Sequence, residues 1–264
     1  MPTTYTHDLF GKKVYHRFSK EMQQVIRTHK DLYRIGLHGP DIFFYHLFYR
    51  KMYQYGIRMH HQTAAPFFEK ALEKVRTEQD FALLAYLLGF GCHYLLDTAC
   101  HPYINEVAAK GWISHTLLEK ELDRTLMLET GKDPRRYYPS DGIVPEKAYG
   151  KIIQKAFPCF SWQSIVVSLR MMKWLTNAMV CDDGGKRRKR VKSISRILGK
   201  KNQSAILDYL MTPVPVEESR PYVAQVQELY RQTLLKAPDF LEELYRLSKK
   251  ENSLSSEWNR TFAG

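Results

Sequence analysis

The chain has 264 residues, 44% hydrophobic and 26% charged, and its 40 Lys and Arg against 28 Asp and Glu give a formal net charge of +12. These proportions exclude a disordered, collagenous or disulfide-framework chain and describe an ordinary globular protein long enough for a real core. The N-terminal MPTTYTHDLFGKK lacks a basic start followed by an apolar stretch, so no secretory signal is expected. The four cysteines (Cys92, Cys100, Cys159, Cys181) show no CxxC pairing and read as reduced thiols of a cytoplasmic protein.

Apolar residues recur at helical spacing and clean alternation is nearly absent, so an all-α, multi-helix fold is expected. In chain order the periodicity predicts helices over 7–30, 62–76, 79–100, 114–130, 146–157, 161–180, 203–211, 217–235 and 238–250. HGPD at 38–41 reads as a turn, Pro102 as the end of the apolar helix, and GKDPRRYYPSDG at 131–142 as a long irregular connection. The most apolar stretch, Phe81 to Leu96, falls short of the roughly 20 residues that span a bilayer; it reads as a buried core helix, and no transmembrane segment is expected. Residues 1–130 form the expected metal-binding core, and 131–264 a C-terminal helical part of the same or a closely docked domain.

The charge is concentrated. KRRKRVKSISRILGKK, residues 186–201, carries nine basic residues and no acidic one, which leaves the remainder near +3. Val191, Ile194, Ile197 and Leu198 give this segment a partial helical stripe. It suits anionic lipid head groups, at about 1 kcal/mol per basic residue near the surface, or nucleic-acid phosphates contacted without sequence readout. A solvated helix or loop is the plain alternative.

Histidine is absent from residue 120 onward, so any reactive site belongs to the first half of the chain. His93, Asp97 and His101 follow one another at four-residue spacing, which puts all three on one helix face. The two histidines stand about 12 Å apart along the axis at 1.5 Å rise per residue, wide for one ion and suited to two, with Asp97 between them. His115 and Glu119 repeat the spacing on the next helix, with Ser114 as a credible N-cap. Facing helices that each offer such pairs are how bundles build multinuclear sites, and nitrogen with carboxylate donors suits zinc, manganese or iron. A carboxylate and two imidazoles buried without partners would cost several kcal/mol, and a metal is the simplest compensator. His7, Asp41 and the His60-His61 pair are upstream candidates to complete the set. The aromatic cluster Phe43, Phe44, Tyr45, Phe48 and Tyr49 reads first as packing and second as a cleft lining, and Met171, Met172 and Trp174 read as core.

Together these elements resemble the zinc-dependent phospholipase C family, an all-helical fold shared with secreted zinc nucleases that cut single strands. The resemblance covers roughly residues 1–125 and rests on an ordered set of ligand types: His7, Asp41, His60 or its neighbour His61, the pair His93 and Asp97, then His101, His115 and Glu119. The secreted members separate the residues corresponding to Asp97 and His101 by a longer interval. The resemblance implies one zinc on His93, Asp97, His60 and Asp41, a second on His101, His115 and Glu119, and a third on His7 with Asp97. It further implies a metal-activated hydroxide attacking phosphorus of a phospholipid head group, with Asp41 orienting the nucleophile. The expected partner is a phospholipid or other phosphodiester, met at the inner membrane surface through 186–201. A zinc nuclease or small phosphodiesterase, and a non-catalytic metal-stabilised module binding a partner through its basic segment, are the alternatives.

Overall fold

A computed structural model of the chain describes residues 4–180, 184–196, 200–212, 214–250 and 253–264. The helices are α1 (Thr4–Tyr15), α2 (Lys20–Thr28), α3 (Lys30–Gly36), α4 (Arg50–His61), α5 (Ala65–Glu78), α6 (Phe81–Ala109), α7 (His115–Glu129), α8 (Lys147–Ala156), α9 (Trp162–Ala178), α10 (Lys186–Ser195), α11 (Lys200–Tyr209) and α12 (Arg220–Leu247), with a 3-10 helix at Gly39–Tyr45. Among the described residues there is no strand, only an isolated antiparallel bridge between Thr63 and Thr261. The fold is all-α, as expected.

Three turns of α6, from Leu83 to Cys92, are apolar on every side, as a helix enclosed by others must be. The helix has the length and composition to cross a membrane, yet 83% of that window is buried inside the protein. The helices α1, α2, α3, α5, α7, α8 and α12 surround it. The hydrophobic cluster they close runs from Tyr5 and Phe10 through Leu87 and Phe90 to Leu241, Trp258 and Phe262. Each fully buried side chain of this size contributes roughly 1.5–3 kcal/mol. The crossing of α3 over α6 is the closest of these contacts. A Cβ on Gly36 would overlap the Tyr86 carbonyl oxygen, and one on Gly89 the Tyr33 carbonyl oxygen, so neither helix could carry a side chain there.

Several predicted boundaries move, each for a physical reason. The stretch 7–30 divides into three helices: Ser19 caps α2 by accepting from Met22 N, and His29 leaves helical geometry between α2 and α3. HGPD is not a simple turn, because residues 39–45 wind on as a 3-10 helix. Helix α4 has no counterpart in the predicted series; its buried face is Met52, Gly56 and Met59, and the glycine contributes nothing to an apolar stripe. Pro102 does not end α6, which continues to Ala109. The carbonyl that Pro102 leaves without a helical donor is that of Thr98, and Arg260 Nη2 donates to it at 3.2 Å. Pro238 likewise lies inside α12, where two helices had been expected, and Arg17 Nη1 donates to the freed Leu234 carbonyl at 3.1 Å. Met172 is in the core, but Trp174 is 66% exposed. Cys92 and Cys100 are buried free thiols and Cys159 is an exposed one, while Cys181, Ile197 and Leu198 lie outside the described residues.

Candidate metal centre

Helix α6 is the spine of the site. Its four-residue spacing projects His93, Asp97 and His101 from one face, all within the helix that Pro102 fails to break. The 3-10 helix delivers Asp41, the last turn of α4 delivers His60, and α1 delivers His7 one turn from its start. The first two turns of α7 deliver His115 and Glu119, with Ser114 capping the helix by accepting from Leu117 N at 3.1 Å.

The eight predicted residues converge. His7 Nε2 lies 3.2 Å from Asp97 Oδ1, and His93 Nε2 lies 3.0 Å from Asp97 Oδ2. His60 Nε2 stands 3.0 Å from Asp41 Oδ1 and 3.9 Å from Asp97 Oδ2. His101 Nε2 lies 3.6 Å from Asp97 Oδ1 and 3.5 Å from Glu119 Oε1, which His115 Nε2 approaches to 3.1 Å. Three groups, the first two sharing a residue, have the spacing to hold a metal ion: His7, His93 and Asp97; Asp41, His60 and His93; His101, His115 and Glu119. His93 belongs to two of them, and Asp97 groups with His7. Between the neighbours that the sequence left open, His60 faces the site and His61 faces solvent.

Outer contacts fix the tautomers. The Nδ1 atoms of His60, His93 and His101 meet the backbone carbonyls of Gly56 (2.8 Å), Leu37 (3.2 Å) and Phe262 (3.0 Å), and His115 Nδ1 meets Asn105 Oδ1 at 3.0 Å. Each partner oxygen only accepts, so Nδ1 carries the proton and the Nε2 lone pair turns toward the carboxylates. A lone pair facing a carboxylate is repulsive unless a metal ion lies between them or the imidazole takes a second proton. His93 Nε2 and Asp41 Oδ1 are buried and make no hydrogen bond. This donor set fits zinc, which takes imidazole nitrogen and carboxylate oxygen and gains from outer-shell orientation of its ligands.

Burial opposes the His101 imidazolium, but Asp97 and Glu119 outweigh it and push the group up to about 9, so a protonated imidazole can balance the carboxylates as a metal ion would. Burial opposes ionisation of Asp97, but His101, His93 and His7 outweigh it and hold the carboxyl well below the usual range. Burial likewise opposes Asp41, and His93 and His60 pull it down. Burial pushes the His38 imidazolium down to about 3, with His7 and His93 adding repulsion, so this buried histidine stays neutral beside the site. Gly39 has a positive φ of 48°, and a Cβ there would run into the His93 ring. Only glycine lets the 3-10 helix pass so close to the ligand face.

A family model for zinc-dependent phospholipase C matches residues 6–161, more than half of the chain. The chain belongs to the zinc-dependent phospholipase C family. The match extends past the stretch that carries the resemblance, through α8 to the Ser161 cap of α9. Neither a curated protein nor a solved structure matches the chain. Family membership supports zinc as the metal and phosphodiester hydrolysis as the reaction class.

Two contributors to this site, Asp123 and the Phe262 carbonyl, escape the sequence reading, and the aromatic cluster that it left between packing and cleft lining is resolved by the structure. Asp123 accepts from Thr6 N (2.8 Å), Thr6 Oγ1 (2.5 Å) and Tyr5 N (3.3 Å), capping α1 from another helix and so aiming His7. Its signal was legible, since His115, Glu119 and Asp123 continue the four-residue spacing by one step. The aromatic cluster divides: Phe43 is core, whereas Phe44 and Tyr45 line a cavity of about 630 Å³. The second missed contributor, the Phe262 carbonyl, lies 161 positions from His101 and has no local signal.

Proposed function

We propose that the protein is a zinc-dependent phospholipase C that hydrolyses the phosphodiester of a membrane phospholipid at the cytoplasmic surface of the bilayer. The supporting observation is the cavity. Its inner wall includes Thr4, Tyr45 and Asp123, each one turn along the chain from His7, Asp41 and Glu119 respectively. The remaining wall is mainly apolar, with Leu175, Met179, Ile206 and Met211 contributed by the C-terminal half. Its volume lies in the range of ligand pockets, and its lining suits an acyl chain better than a nucleoside. Leu47 and Phe48 beside it are 59% and 87% exposed, and α10 presents Lys189, Arg190 and Lys192 to solvent with no acidic partner among the described residues. A basic helix beside exposed apolar side chains suits an anionic membrane surface.

Asp41, His60 and His93 would hold one ion, His101, His115 and Glu119 a second, and His7 with His93 and Asp97 a third. Zinc held there supplies Lewis acidity, neutralising phosphoryl charge and lowering the pKa of water. Asp41 has a second carboxylate oxygen with which to orient the attacking water and take its proton. The Tyr45 phenol, kept protonated by burial and by the nearby negative charge of Asp41, can donate to a substrate oxygen. The cavity wall excludes water from the lipid portion next to the scissile bond.

The test is metal content by elemental analysis beside phosphate-ester turnover on phospholipid vesicles, single-stranded oligonucleotides and a small aryl phosphodiester. Two or more zinc equivalents and lipid turnover, both lost in His93→Ala/Glu119→Ala, are expected. Turnover of oligonucleotides alone would make the protein a nuclease. Full zinc with no turnover would make it a non-catalytic module.

A further inference from the structure

Residues 255–264 fold back over the metal centre from far outside the family-matched region 6–161. Trp258 anchors this strap: it is fully buried, stacks on Tyr94 at 5.3 Å between ring centroids, and donates from Nε1 to Glu243 Oε2 at 3.0 Å. Around this anchor the strap meets the α4–α5 connection, where Ala64 N donates to the Arg260 carbonyl at 3.2 Å, and the ligand-bearing helices α4 and α6. Tyr94 OH donates to the Glu257 carbonyl at 2.9 Å, and Thr98 Oγ1 to the Thr261 carbonyl at 3.0 Å. Arg260 Nη2 donates to the Thr98 carbonyl, and Ala263 N to the His60 carbonyl at 3.2 Å. The Phe262 ring is buried 5.7 Å from the His60 ring and 6.0 Å from the His93 ring.

The four oriented imidazoles do not depend on equally distant partners. His60 is fixed from its own helix, His115 by Asn105 on α6, and His93 by Leu37, all within the matched region. His101 is fixed by the Phe262 carbonyl. We propose that this strap is a positioning element of the metal centre: the Phe262 carbonyl holds the proton on His101 Nδ1 and thereby aims Nε2 at the group it forms with His115 and Glu119. Without that carbonyl the His101 ring is free to turn or to change tautomer, and one ion site of the three loses a ligand. The inference rests on the reading that these groups hold zinc.

The test compares zinc affinity by chelator competition, with stoichiometry by elemental analysis, in the full chain, in a chain stopped after Arg260, and in Thr98→Val. The stop after Arg260 keeps the Trp258 anchor and removes the carbonyl. The expected result is one zinc equivalent weakened by about 10–100-fold, the usual cost of losing an outer-shell partner, with the other equivalents unchanged. Thr98→Val, which loosens the strap without shortening it, should weaken the same equivalent by a smaller factor. The visible absorption of the cobalt-substituted protein should change at that site alone, a signature that a merely structural role would not move. If the shortened chain does not fold, Thr98→Val decides, and wild-type affinity in a folded variant overturns the proposal. A full chain that takes up no zinc overturns both the inference and the functional reading; equal affinity in all three chains overturns the inference alone.

Discussion

Asp123 shows how one carboxylate can serve geometry at the expense of pH tolerance. It caps α1 through Thr6 and Tyr5, and burial pushes its pKa up to about 7 from an ordinary carboxylate value. A folded-state pKa above the unfolded one means that the native protein binds the extra proton between about pH 4 and 7, so the Asp123 contribution to stability falls as pH rises through that window and is level above it. The slope has an upper limit of about 1.4 kcal/mol per pH unit. Asp123→Asn should therefore lose less stability than the parent between pH 4 and 7. Urea midpoints of the two proteins at several pH values would reveal it; parallel curves would mean that Asp123 is already ionised throughout. Sequence spacing pointed at this residue but could not distinguish a fourth member of the ligand face from a helix cap. That choice depends on the N-terminus of α1 lying above α7.

Between elements, the crossing of α3 over α6 does most to place ligands, because it brings the Leu37 carbonyl to His93 and the 3-10 helix with Asp41 to the same face. Gly89→Ala would push a methyl group into the Tyr33 carbonyl oxygen, where no side-chain movement can relieve it. We expect a loss of roughly 3 kcal/mol, the upper end for overpacking a close contact. For a chain of this size that is about 6–12 °C of melting temperature, measurable by circular dichroism. A shift below 1 °C would show that the helices part without cost. The helix faces themselves were legible, since a spacing of four is a property of any helix. The continuity of α6 and α12 through Pro102 and Pro238 was not, because it depends on Arg260 and Arg17 reaching the freed carbonyls from elsewhere in the chain.

For the molecule as a whole, the proposed function requires charge and cavity to act together. The basic surplus of the sequence resides on α10 and the residues after it, while the candidate metal groups lie among α1, the 3-10 helix, α4, α6 and α7. Arg187 Nη2 donates to Tyr138 OH at 3.4 Å, tying the start of α10 to the loop whose Tyr137 and Pro139 line the cavity. Lys189→Glu/Arg190→Glu should weaken binding to vesicles containing phosphatidylserine by tenfold or more, at about 1 kcal/mol for each charge near the surface. Zinc content and turnover of a short soluble substrate should stay unchanged. Sedimentation with vesicles at two salt concentrations measures this. Undiminished binding, or displacement by oligonucleotides in preference to vesicles, would assign the helix another partner.

Taken by itself, the sequence determined the all-helical class and the sets His93, Asp97, His101 and His115, Glu119, because these follow from periodicity and spacing within single helices, while His7, Asp41 and His60 joined them through the family the series resembles. Tertiary structure decided what depends on residues far apart in the chain. It chose His60 over His61 by the direction of the last turn of α4. It brought Asp41 and His7 to a face defined by α6, and supplied the Phe262 carbonyl to His101 from the opposite end of the chain. Local propensity sets which way a side chain points along its own helix. Only packing sets what it meets.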